Sequence, residues 1–254
     1  MAVNLVKAIK AQTPQQGRLR MITIHQKAAR GHSKAGWFDS YHTFSFGSFQ
    51  DPKRMGFGNL RVLNEDTIIP GSGFAPHRHE GMDILTYVTK GQLRHEDDQG
   101  NVSLISAGEA QLMSAGDGVI HSERNVSDTD NAQFFQIWLI PNEAKGASRY
   151  AQVAVPQTGN VMLAGPMSSE PLLKLGSQTT IQLVRGVEGS VTRLADPNTH
   201  RFVQLIDGLA FAESERLSAG DGLQIPRGEE TSLDWVTEGA LLLFTMPNER
   251  RNMS

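Results

Sequence analysis

Gly71-Ser72-Gly73-Phe74-Ala75-Pro76-His77-Arg78-His79-Glu80-Gly81-Met82-Asp83-Ile84-Leu85-Thr86-Tyr87-Val88-Thr89-Lys90-Gly91 is the stretch on which the reading of the fold turns. Its apolar run, Ile84–Val88, is short, holds β-branched and aromatic residues, and stops at a Lys90-Gly91 turn, so it reads as a strand. Similar short runs recur to either side, at Leu60–Leu63, Phe134–Ile140, Ile181–Val184, Val203–Ile206 and Leu241–Thr245. Turns containing glycine separate them, among them Gln99-Gly100-Asn101, Ala107-Gly108, Asp207-Gly208 and Ala219-Gly220. Strands and turns at this density predict an all-β sandwich or barrel. Gly91 and Gly108 are expected to supply turns with positive φ. The best helical period is Val3–Ala11, near the start of the chain.

A weak internal repeat suggests two similar lobes. Ser114-Ala115-Gly116-Asp117-Gly118 recurs as Ser218-Ala219-Gly220-Asp221-Gly222, and Tyr87–Gly91 loosely echoes Gln204–Gly208. The join between lobes is expected within Pro141–Gly165, a stretch rich in proline and glycine.

The same stretch carries the chemistry. In a strand, residues i and i+2 point to one face, about 6.6–7 Å apart. His77-Arg78-His79 therefore aims two imidazoles at one side, and His121-Ser122-Glu123 aims an imidazole and a carboxylate at one side. If two such strands face each other inside a barrel, His77, His79, His121 and Glu123 converge as a ligand set for a divalent metal. On alignment of the two Ser-Ala-Gly-Asp-Gly segments, the second lobe has Ile225 and Arg227 where the first has His121 and Glu123. One metal per chain is therefore expected, with the second lobe serving as support.

Composition narrows the options. The 254 residues carry a net charge of −3 and are 39% hydrophobic, enough for a core and no footprint for nucleic acid. No cysteine is present, which excludes disulfides, thiolate nucleophiles and zinc–thiolate sites. No apolar run reaches the roughly 18 residues of a membrane span, and the start lacks the apolar core of a secretory signal. A cytoplasmic protein is the expectation. Lys7, Lys10, Arg18 and Arg20 mark residues 1–20 as an N-terminal arm, and Glu249-Arg250-Arg251 reads as a solvated end. No phosphate loop or Gly-x-Ser-x-Gly elbow occurs.

Gly71-x5-His77-x-His79, Asp83 and Gly91 resemble the first motif of the cupin superfamily, and Gly108 with Gly118–Asn125 resembles the second. Two departures stand out: Asp83 replaces the usual glutamate, and the gap after Gly108 is long. Asp83 is therefore expected to be structural. More specifically, Gly36–Phe46, Gly58–Asn64, Pro76–His79, Thr86-Tyr87-Val88, His121–Asn125 and Phe135–Trp138 resemble pirins, the bicupin group. The resemblance runs from about Met21 to Pro141 and weakens beyond.

It implies two tandem, jelly-roll-like cupin β-barrels with few short helices, residues 21–145 holding the metal and 146–254 lacking ligands. It assigns the carboxylate ligand to Glu123. It implies iron, with Fe(II) first because three histidines and a carboxylate suit non-haem chemistry, and nickel, manganese, cobalt, zinc or copper as alternatives. It implies a dioxygenase that opens the ring of a flavonol such as quercetin with dioxygen and releases carbon monoxide. Glu123 is the expected catalytic base, loosened from the metal. The alternatives are an iron-binding redox sensor or transcriptional regulator acting through a protein partner, and a cupin isomerase or binding protein.

Phe44, Phe46, Phe57, Phe135 and Trp138 are read as core or pocket aromatics, Phe44 and Phe46 sharing a strand face. His42 is placed outside the site as hydrogen-bonded core. His95, within Arg94–Asp98, reads as part of a solvated hairpin.

Overall fold

The computed structural model describes residues 22–247, so the N-terminal arm, its helical period and the charged C-terminal end lie outside the described residues. The first half contributes β1 (Thr23–His25), β2 (Gly31–Ala35), β3 (Phe38–His42), β4 (Leu60–Ile68), β5 (Gly73–His79), β6 (Asp83–Lys90), β7 (Gln92–Asp97), β8 (Val102–Ser106), β9 (Glu109–Ser114), β10 (Val119–Arg124), β11 (Ala132–Leu139) and β12 (Arg149–Ala154). The second contributes β13 (Val161–Pro166), β14 (Leu173–Leu175), β15 (Thr180–Gly186), β16 (Val191–Leu194), β17 (Thr199–Asp207), β18 (Leu209–Ala212), β19 (Glu215–Ser218), β20 (Gly222–Ile225), β21 (Thr231–Trp235) and β22 (Gly239–Pro247). Helix among the described residues is confined to one short turn, Lys27–Ala29. None is long and apolar enough to cross a membrane.

Each lobe is a seven-stranded sheet closed over by a four-stranded one. The first lobe has the orders β12-β9-β6-β11-β4-β3-β2 and β5-β10-β7-β8, the second β1-β20-β17-β22-β15-β13-β14 and β16-β21-β18-β19. The chain crosses between lobes near its start, where β1 pairs with β20 of the second lobe, whereas β12 stays with the first lobe by pairing with β9.

The seven-stranded sheets pack back to back, which explains the unbroken apolar runs. On β11, Phe135, Ile137 and Leu139 enter a core shared with Leu183, Phe202, Leu242 and Phe244 of the second lobe. Alternate residues Phe134 and Trp138 belong to clusters inside the first barrel. A strand buried on both faces loses its polar alternation. Each large side chain buried there contributes roughly 1.5–3 kcal/mol, so the shared core binds the lobes into one unit.

The topology revises the repeat. Both lobes run through the same strand order, so β6-β7-β8-β9-β10-β11 corresponds to β17-β18-β19-β20-β21-β22. Ser218–Gly222 lies between β19 and β20, so its counterpart is Ser106–Ala110, between β8 and β9, and not Ser114–Gly118. The turn chemistry agrees. Glu109 accepts the Ser106 N–H at 2.7 Å, and Asp221 accepts the Ser218 N–H at 2.7 Å. Gly108 (φ 83°) and Gly220 (φ 90°) supply the same left-handed step, as expected for Gly108, and Gly91 does so at φ 70°. Asp117 instead pairs its N–H with the Gly146 carbonyl. The sequence alignment to Ile225 and Arg227 is thus out of register. Carried through the ladders, His77, His121 and Glu123 correspond to Leu194, Thr231 and Leu233. Leu194 and Leu233 are fully packed in the second barrel's core.

Phe44 and Phe46 do not share a strand face, because β3 ends at His42. Phe44 enters the interlobe core, whereas Phe46 stands edge-on to Trp138.

Candidate metal centre

The site is built on two short strands of the four-stranded sheet. β5 and β10 run antiparallel with His79 opposite Val119 and His77 opposite His121. The register then slips, so that Phe74 stands opposite Glu123. Such a bulge re-aims a side chain, and Pro76, which cannot donate to a ladder, sits where the pairing is interrupted. Gly73 lets the strands close here, since a Cβ on it would overlap the Glu123 carbonyl.

The three imidazoles come together as expected. One ligand nitrogen from each of His77, His79 and His121 lies within 4.8 Å of the others. Ring centroids are 4.5–4.9 Å apart. The carboxylate oxygens of Glu123 do not share that spacing. Gln136 Nε2 donates to Oε2 at 2.8 Å, and the Thr86 hydroxyl lies 3.3 Å from Oε1. Glu123 nonetheless lines the same cavity as His77 and His79. Asp83 is structural as expected: its Oδ2 accepts the Gly176 N–H at 2.6 Å, tying the first barrel to the second half.

Hydrogen bonds fix which nitrogens carry lone pairs. Asp97 Oδ2 lies 3.0 Å from His95 Nε2, and a carboxylate only accepts, so Nε2 carries the proton. His95 Nδ1 is then an acceptor, and at 3.3 Å it takes the Nδ1–H of His121. That leaves His121 Nε2 unprotonated. The Ala75 carbonyl takes the Nδ1–H of His77 at 2.9 Å, which leaves His77 Nε2 unprotonated in the neutral ring. These two Nε2 atoms face each other at 3.1 Å. Two opposed lone pairs at that separation repel, and a cation between them relieves the repulsion. Neutral imidazoles are also the metal-binding form.

Burial favours the neutral form of His79 and His121. Burial pushes His121 down to about 2, and the neighbouring His77, His79 and His95 add to the shift. Burial with repulsion from His77 pushes His79 down to about 4. Burial lowers His95 as well, against the pull of Asp97. Burial alone drives Asp97 up, but hydrogen bonds from His95 and Asn101 outweigh it and hold the carboxylate ionised. Burial raises Glu123 to about 7, opposed by Gln136 and Thr86. A cation pulls a carboxylate the other way. The donor set fits a divalent metal, with His77, His79 and His121 as its core and Glu123 beside it.

His95 is fully buried, not part of a solvated hairpin. β7 alternates, sending Leu93 and His95 inward and Arg94 and Glu96 outward. The signal in the sequence was this period of two from Leu93. His42, in contrast, meets no ligand imidazole; it bonds Asn64, Ser33 and Ser40. His95→Leu is expected to weaken metal binding about 10–100-fold, because His121 loses the partner that fixes its tautomer. Chelator competition measures it, and unchanged affinity would remove His95 from the site.

The cavity beside the imidazoles holds about 550 Å³. Trp37, Phe38, Phe46, Phe74 and Trp138 form its apolar walls. Asn64, Asp66, Glu123 and Gln136 form a polar side. Of the aromatics singled out in the sequence, Phe46 and Trp138 line it. Phe44 and Phe135 are interlobe core, and Phe57 packs against that core.

Comparison with known proteins gives a consistent outcome. A model of the Pirin family matches residues 23–139, and one described as the quercetinase C-terminal cupin domain matches residues 163–246. Quercetin 2,3-dioxygenase of Escherichia coli K12 is 37% identical over 232 residues, covering 89% of this chain and 99% of that one. The crystal structure of YhhW from Escherichia coli superposes with a TM-score of 0.85 at 35% identity, covering 91% of this chain and 100% of that one. A second structure, bacterial pirin YhhW in complex with nickel(II), gives 0.84 at 36% identity, covering 89% and 99%.

Proposed function

The chain belongs to the pirin family, with a quercetinase-type cupin domain in its second half, and from that premise we propose that its first lobe is a metal-dependent dioxygenase acting on flavonols such as quercetin. The observation that carries the reading is the convergence of three imidazoles beside an aromatic-walled cavity. A divalent ion held there, Fe(II) first and nickel the leading alternative, would supply a Lewis acid for an adjacent hydroxyl and carbonyl and a redox partner for dioxygen.

The protein's own groups do the rest. Trp37, Phe38, Phe46, Phe74 and Trp138 bind a flat ring system and exclude water from it. His77, His79 and His121 set the direction from which the substrate's oxygens approach. Glu123, beside the imidazoles, would complete the ligand set of a bound ion and is the base that takes the hydroxyl proton. A cytoplasmic location goes with this reading. Elemental analysis of the purified protein, followed by oxygen uptake with quercetin, tests it. The expected result is one metal per chain and flavonol-dependent uptake. A fully loaded protein that consumes no oxygen with any flavonol points instead to a sensor or regulator.

A further inference from the structure

Asp66 is a buried carboxyl in the substrate cavity with no assigned work. It projects from β4 and is 3% exposed, yet lines the cavity with Asn64 and Gln136. No hydrogen bond joins it to His77, His79, His121 or Glu123 among the described residues. Its bonds run the opposite way. The Ser40 hydroxyl donates to Asp66 Oδ1. Ser40 Oγ lies 3.3 Å from His42 Nδ1, which Asn64 Oδ1 also meets at 2.9 Å, and His42 Nε2 lies 2.8 Å from Ser33 Oγ. Ser40 and His42 are fully buried, whereas Ser33 is half-buried on the edge strand β2, between exposed His32 and Lys34. A line of exchangeable protons therefore runs from cavity to surface.

Flavonol ring opening needs such an outlet. Inserting both atoms of dioxygen expels the hydroxyl-bearing carbon and its oxygen as carbon monoxide and turns the neighbouring carbonyl into a carboxylic acid, so a weakly acidic hydroxyl is replaced by a group that is ionised at neutral pH. One proton is released per turnover in a cavity walled by aromatic side chains. We propose that Asp66 takes up this proton and that Ser40, His42 and Ser33 carry it to bulk water. The substrate O–H bond breaks with its electron pair left on oxygen. The proton reaches the Asp66 carboxylate by way of Glu123, and loss of a proton at Ser33 restores the carboxylate. Asp66 acts through Glu123, and Ser40, His42 and Ser33 act through Asp66. The inference rests on the dioxygenase reading.

The charged groups around the line are Glu123 and Glu65 beside Asp66, and His32 and Arg30 beside His42. Burial first, with Glu123 and Glu65, lifts Asp66 to about 7 against the Ser40 hydrogen bond. As proton acceptor Asp66 works ionised, so the rate falls as pH drops through its raised value.

The test uses oxygen uptake with quercetin on metal-loaded full-length protein. Asp66→Asn is expected to keep its metal and its quercetin binding but to lose about 100-fold or more in kcat. It should also lose the acid limb of the pH profile. Ser33→Ala, at the half-buried outer end, should slow turnover, raise the solvent deuterium isotope effect and recover with added imidazole. It carries the test if Asp66→Asn fails to fold. An active wild type with Asp66→Asn at the same rate and pH profile overturns the role of Asp66. Wild-type rate and isotope effect in Ser33→Ala overturn the path. A metal-loaded wild type inert with every flavonol sinks the dioxygenase reading itself, and the proton line with it.

Discussion

Protein carrying His121→Ala is expected to fold and to come through purification without its metal. His121 is the central imidazole of the cluster. It is 1% exposed, its Nε2 faces that of His77, and its Nδ1 is held by His95. Removing it deletes a donor and strands the His95–Asp97 pair behind it. The loss of affinity should exceed the 10–100-fold that follows removal of a supporting hydrogen bond. Elemental analysis should find metal far below one per chain, and flavonol-dependent oxygen uptake should fall to background. Added metal should raise the melting temperature of the wild type, because a ligand that binds only the folded state stabilises it. The variant should show no such rise. Metal content equal to wild type would remove His121 from the ligand set.

A pH experiment on metal-free protein adds a second check. His121 is pushed down to about 2 and His79 to about 4 in the folded chain. Unfolded, both return to about 6.5. The unfolded state therefore binds more protons below that value, and the metal-free wild type loses stability as pH falls through it. His121→Ala removes one of these rings, so its decline in acid should be shallower.

The ligand triplets were legible because a strand's period of two converts His-x-His and His-x-Glu directly into faces. The support behind them was not, for a related reason. Arg94-His95-Glu96-Asp97 reads as charged and therefore solvated, yet only its alternate residues meet water. β4 shows the same masking. Its apolar run stops at Leu63, but the strand continues to Ile68, with Asn64 and Asp66 buried inside the barrel. A cavity that must present polar groups interrupts the hydrophobic pattern by which strands are found. The repeat misled differently. Five identical residues at Ser114–Gly118 and Ser218–Gly222 reflect a shared taste for Gly turns, whereas the true counterpart, Ser106–Ala110, matches in turn chemistry more than in letters. In the corrected register the positions of His77 and Glu123 fall on Leu194 and Leu233, both packed in the second barrel's core.

Glu123→Gln should separate holding the metal from moving the proton. The side chains have nearly the same shape, so the packing around Thr86 and Gln136 can persist with the Gln136 amide turned to accept. Three imidazoles remain, and some metal should be retained at reduced affinity. Turnover per bound metal should fall about 10²–10⁴-fold, the usual worth of a positioned base. Unchanged turnover per metal would end the proposal that Glu123 takes the proton. The metal-free protein should respond in the opposite sense. Burial holds the Glu123 carboxyl at about 7 against an ordinary 4.5. Its folded form binds more protons than its unfolded form between those values, so stability is lost as pH rises through them. Above pH 7 the deficit is roughly 3 kcal/mol. Gln carries no such charge. Metal-free Glu123→Gln should therefore unfold at higher denaturant than metal-free wild type at pH 8, and the gap should close below pH 4.5. A carboxylate retained at that cost in stability is what a functional site, and not a packing need, maintains.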